Sequence, residues 1–99
     1  MNWYKALKAR GEIADRLAHE IPIVIKDQSL SLTRLLRLHW AVRDHANSVE
    51  MLKVDMIKSQ AMEELVLAAE ALSAAFSEIA DAIKGQIATF GADNQSVAA

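Results

Sequence analysis

Three stretches of this 99-residue chain repeat their apolar residues at helical spacing, and none alternates as a half-buried strand does. In the first, Leu7, Ala14, Leu17 and Ile21 recur on one side, with Trp3, Ala6 and Ile13 beside them. Asn2 stands where an N-cap belongs. Pro22 predicts an end at His19 or Glu20, because the residue before a proline is pushed out of the α region. Gly11 costs about 1 kcal/mol relative to alanine in mid-helix, so this element leans on tertiary contacts. The next residues, "IPIVIKDQS", read as an extended connector or as one helical turn begun by Pro22.

From Ile23 to Lys84 there is no glycine or proline. After two N-cap candidates, Ser29 and Ser31, the residues Leu32, Leu35, His39, Val42, Ala46 and Val49 step by three and four. Arg34, Arg37, Ala41 and Asp44 fall on the other side. Beyond Asn47 the stripe loses its phase: Met51, Leu52, Val54, Met56 and Ile57 point nearly all round a helical wheel. Either a helix breaks at "HANS" and restarts on an Asn47 or Ser48 cap, or one helix continues with a kink or phase slip. Without a glycine or proline to enforce the stop, the continuous helix is the expectation.

The third stretch has the most regular spacing. Leu65, Ala69, Leu72, Phe76, Ile79, Ile83 and Phe90 form a seam of coiled-coil type, opposite Glu63, Glu70, Ser73, Ser77, Asp81 and Lys84. Alanines around the seam permit close helix approach. Gly91 fits a C-terminal cap, so residues 1–91 read as a single helical domain and 92–99 as a disordered tail.

Length then bears on assembly. A helix over residues 60–90 spans roughly 45 Å, whereas a compact monomer of this size has a radius of gyration near ~13 Å. The fold class expected is all-α: a short N-terminal helix plus a long antiparallel helical hairpin, forming a bundle by self-association. The expected oligomer is a homodimer whose interface is the seam of Leu65, Ala69, Leu72, Phe76, Ile79 and Ile83.

Composition narrows the function classes. Hydrophobic residues are 53% and charged residues 24%, a folded rather than a disordered balance. A formal net charge of −2, with no run of like charges, gives no footprint for a nucleic-acid backbone. No cysteine is present, which excludes disulfides, thiolate metal sites and thiol nucleophiles. The start "MNWYKALKARGEIADRL" lacks the apolar core of a secretory signal. No apolar run approaches the ~20 residues of a membrane span. A cytoplasmic protein is the expectation.

The densest cluster of chemistry is "RLHWAVRDHANS", residues 37–48. His39 lies in the apolar stripe and His45 at its border, so they face different ways. His39 is the one candidate metal ligand or acid–base group, without a second ligand three or four residues on. Glu12, Asp15 and His19 share a face of the first helix, but it is the solvated face. Glu63, Glu64 and Glu70 suggest a di-iron bundle, yet the chain contains no Glu-x-x-His pair and two of the three point away from the seam.

"LHWAVRD" resembles, over seven residues, the "HWNVRG" stretch of Dps-type mini-ferritins. That resemblance implies iron binding at a subunit interface, with His39 as ligand. The chain departs from that pattern: Met51 stands where the family has its next histidine, Val66 stands at a ligand position, and the length falls short of a four-helix subunit. Arg34 and His39 give an R-x4-H spacing similar to that of HEPN ribonuclease toxins, with apolar Leu35 where those carry a polar residue. Three glycines, at 11, 85 and 91, do not build a phosphate loop.

The reading is a small non-enzymatic interaction protein (an adaptor, assembly factor or inhibitor of a larger complex) acting as a homo-oligomer, with no cofactor. Arg34, Arg37 and Arg43 with Trp40 are the candidate partner-binding residues, tryptophan being enriched in binding hot spots. The competing reading is a ferritin-like metal-binding bundle that uses His39 and carboxylates across a subunit interface.

Overall fold

The computed structural model describes residues 2–27 and 29–98, with side chains as far as Phe90. Among the described residues the chain is all-helical: α1 (Trp3–Val24), α2 (Leu32–Lys58) and α3 (Glu63–Ala98), with no strand. α3 continues as helix through Gly91, the expected cap, to Ala98; the side chains beyond Phe90, where the tail over 92–99 is expected, lie outside the described residues.

Local chemistry sets the helix ends. The Asn2 side chain accepts the Lys5 N–H at 3.1 Å and caps α1. Ser31 caps α2, accepting the Arg34 N–H at 3.2 Å. The other cap candidate, Ser29, instead folds onto Asp27 in an Asx turn, donating its hydroxyl at 2.7 Å and its N–H at 3.0 Å. Both bonds hold the Asp27 carboxyl below the usual carboxylate range.

Pro22 does not end the first helix. α1 runs through it to Val24, and the Ile25 N–H still reaches the Ile21 carbonyl at 3.0 Å. Proline removes only its own bond to the Ala18 carbonyl. Ala18 and Pro22 are both exposed, so water can serve that carbonyl. Ile21, the residue before the proline, is buried at 3% exposure, and its packing overrides the local preference.

α2 is one uninterrupted helix through "HANS". It stops in a Schellman motif. The Ala61 N–H bonds to the Met56 carbonyl at 2.9 Å and the Gln60 N–H to the Ile57 carbonyl at 3.1 Å. Gln60 carries the left-handed φ of 56° that this motif demands and that glycine usually supplies.

α2 lies along α3. Lys53 meets Glu70 at 3.6 Å, and His45 stacks on Phe76 with ring centroids 5.3 Å apart. Positions falling along α2 thus meet positions rising along α3, so the two run in opposite directions. The core between them is Val42, Ala46, Val49 and Met56 against Ala69, Phe76, Ala80 and Ile83. α1 covers the neighbouring flank of α3, placing Ile21 and Pro22 beside Ile79 and Ala82. Its side-chain hydrogen bond to α2 is Arg10, whose Nε and Nη2 donate to the Ser48 hydroxyl at 3.3 and 3.2 Å.

The register on α3 differs from the expected seam. Ser73, expected on the polar side, is buried, and the deepest line is Ala69, Ser73, Phe76, Ala80 and Ile83. Leu65, Leu72 and Ile79 are only partly buried. The apolar stripe is wide because α3 has two neighbours: α2 presses on the Ser73 and Ala80 edge, α1 on the Leu72 and Ile79 edge. The result is a rod of 56 × 21 × 17 Å with a radius of gyration of 16.3 Å.

Candidate functional site

The structure first removes candidates. Ala69, Phe76 and Ile83, assigned to a dimer interface on spacing, have no exposed surface within a single chain. A second copy does not reach them in this fold. Their seam is the internal contact of α2 with α3, and Leu65, Leu72 and Ile79 form its flank.

The two histidines of "RLHWAVRDHANS" are both half-buried and meet different rings. His45, expected at the border, lies nearly parallel to the Phe76 ring, with 17° between the planes. His39, expected in the buried stripe, meets the exposed Trp40 edge-on at 5.7 Å. The slow drift of a 3.6-residue helix against a partner accounts for this: over the length of α2, the side turned to α3 moves from the Leu35 line toward the His45, Leu52 and Met56 line. No group of three or more His, Asp or Glu side chains that could hold a metal ion occurs among the described residues. Glu12, Asp15 and His19 are all exposed along α1.

The Arg/Trp cluster divides. Arg34 and Arg37 border a shallow groove of about 350 Å³ floored by Val24, Leu30, Leu38 and Ala41. Trp40 stands on a different side of α2, next to Leu36, and Arg43 is half-buried. Trp40 is 64% exposed and Leu36 41%, and farther along the same side Met51 is 71% and Val54 46% exposed. Leu36, Trp40, Arg43, Asn47, Met51 and Val54 step by four, three, four, four and three, so they share one line down the outer face of α2.

Sequence reasoning named Trp40 and missed Met51 and Val54. The signal was present as the phase loss after Asn47: Leu52 and Met56 continue the inner stripe, while Met51 and Val54 belong to a second, outer one. Single exposed apolar side chains are ordinary on protein surfaces. A line of them at interlocking spacing on one helix is the candidate contact surface of this structure.

A second cleft of about 450 Å³ borders this line, between α1 and α2, and includes Arg10, Asp44, Asn47 and Met51. Among the described residues no helix is long and apolar enough to cross a membrane. Comparison with known proteins finds no matching family model, no similar curated protein and no similar solved structure.

Proposed function

We propose that this is a non-enzymatic helical interaction protein that presents the outer face of α2 to another polypeptide. The observation that carries the reading is the line Leu36, Trp40, Met51 and Val54, large apolar side chains between 41% and 71% exposed on a helix whose other side is fully packed. Trp40 is its anchor, a large rigid surface with a polar edge. Arg37 and Arg43 flank it and give orientation more than affinity. The lack of cysteine is compatible with work in a reducing cytoplasm.

A photo-crosslinking amino acid placed at position 40 tests this in the native host, with one at the exposed position 12 on α1 as control. The expected result is one or a few discrete adducts from position 40 and none in common with position 12. Equal, diffuse labelling from both positions would overturn the proposal.

A further inference from the structure

The outer line of α2 is complementary to itself. Its apolar residues come in two pairs, Leu36 with Trp40 toward the N-terminal end and Met51 with Val54 toward the C-terminal end, separated by Arg43 and Asn47. Two copies of α2 laid antiparallel about a two-fold axis near Ala46 and Asn47 set each apolar pair against the other copy's opposite pair. Trp40 then faces the step between Met51 and Val54.

The charges beside the line follow the same register. In an antiparallel helix pair each flank faces its own counterpart, reversed in direction. On one flank this sets Arg37 against Asp55, and on the other Arg43 against Glu50. Two-fold symmetry makes each of these two pairs. Among the described residues Arg37, Asp55 and Arg43 have no intrachain ion pair, and Glu50 has only a 3.7 Å contact to Lys53 with half its side chain exposed. Asp44 falls opposite Ser48, whose hydroxyl already holds the Arg10 guanidinium, so that carboxylate meets a cation too. A parallel pairing would set each flank against the opposite flank of the other copy, bringing Glu50 against Asp55 and Arg43 against the Ser48 that holds the Arg10 guanidinium. Apolar spacing and charge sign therefore select one arrangement.

We infer that the occupant of this face is a second copy of the chain, in an antiparallel α2–α2 dimer closed by Trp40 in the partner's Met51–Val54 step and by reciprocal Arg43–Glu50 and Arg37–Asp55 pairs. This rests on the reading of the outer α2 face as the interaction surface and names what binds there. It moves the dimer contact from α3 to α2.

Sedimentation or light scattering at about 100 µM, well above a micromolar Kd, tests it. The expected species is a dimer. Arg43→Glu and Glu50→Arg each turn two attractive pairs repulsive and are expected to weaken the dimer by about tenfold or more. The combined variant, with signs exchanged, is expected to recover to within about threefold of the original. Both positions lie on the helix surface, and unchanged helical circular dichroism shows that the variants fold. A monomeric original chain overturns the inference, as does a dimer indifferent to both single exchanges or a combined variant no better than either. A monomer that still gives discrete adducts with another polypeptide from position 40 overturns the second-copy assignment alone. Loss of those adducts as well overturns the interaction reading beneath it.

Discussion

The two faces of α2 carry similar residues to opposite ends. On the inner face Leu35, Val42, Ala46, Val49 and Met56 are all 3% exposed or less. On the outer face Leu36, Trp40, Met51 and Val54 repeat the same interlocking spacing with about half their surface in water. Hydrophobicity and period alone do not separate them. What separates them is coverage: α3 lies along one face, α1 packs on the flank of α3 and meets α2 through Arg10 and Ser48, and the outer line has no helix from its own chain over it. An apolar stripe identifies a contact surface without saying whether the contact is internal.

The largest expected effects test that division directly. Phe76 has no exposed surface and fills the space between the helices beside His45. Phe76→Ala is expected to cost about 3–5 kcal/mol, read as a fall in the urea midpoint of the isolated chain. Trp40→Ala removes a larger ring from the outer face. At concentrations where the chain is monomeric it is expected to change stability by no more than about 0.5 kcal/mol, while reducing self-association at high concentration. If Trp40→Ala proves as costly to folding as Phe76→Ala, the outer face is part of the core and the comparison collapses.

Much of this fold was legible from spacing. The three helices, the Asn2 and Ser31 caps and the continuity of α2 follow from periodicity and from the lack of glycine or proline between residues 23 and 84. Three features were not legible, each because a tertiary contact outweighed a local rule. Pro22 sits inside α1 because burial of Ile21 outweighs one missing hydrogen bond. Ser73 is buried because α2 approaches α3 from that side, and a small polar residue permits the approach. Gln60 ends α2 in a left-handed conformation that no local signal announces. The candidate site was legible in part: Trp40 and the arginines stood out by type, whereas Met51 and Val54 appeared only as a disturbance of phase.

A smaller effect is expected at the end of the inner face. Gln60 holds φ at 56°, a conformation that disfavours a β-carbon by about 1 kcal/mol or more. Gln60→Gly is expected to stabilise the chain by about 1 kcal/mol, raising the urea midpoint without changing self-association. Gly85→Ala tests the same separation on α3. A β-carbon there meets nothing within 4 Å, so the gain in helix propensity, about 1 kcal/mol, is expected undiminished. Should either change alter the dimer, folding and association are coupled through more than the α2 surface.

The two histidines give the finest version of the comparison, since they differ by six positions and lie on different sides of the same helix. His45 rests flat on Phe76 and shields the core from one flank. His39, also half-buried, meets the Trp40 ring edge-on. His45→Ala is expected to cost about 0.5 kcal/mol, the lower end of the range for aromatic pairs, because the ring keeps part of its surface in water. His39→Ala is expected to leave the monomer's stability unchanged and to weaken the dimer modestly, by loosening the edge contact that steadies the Trp40 ring. Denaturation and sedimentation on the two variants thus move in opposite senses: one loses stability and keeps its partner, the other keeps stability and holds its partner less tightly. Equal responses would mean that the helix does not divide its faces between folding and binding as proposed.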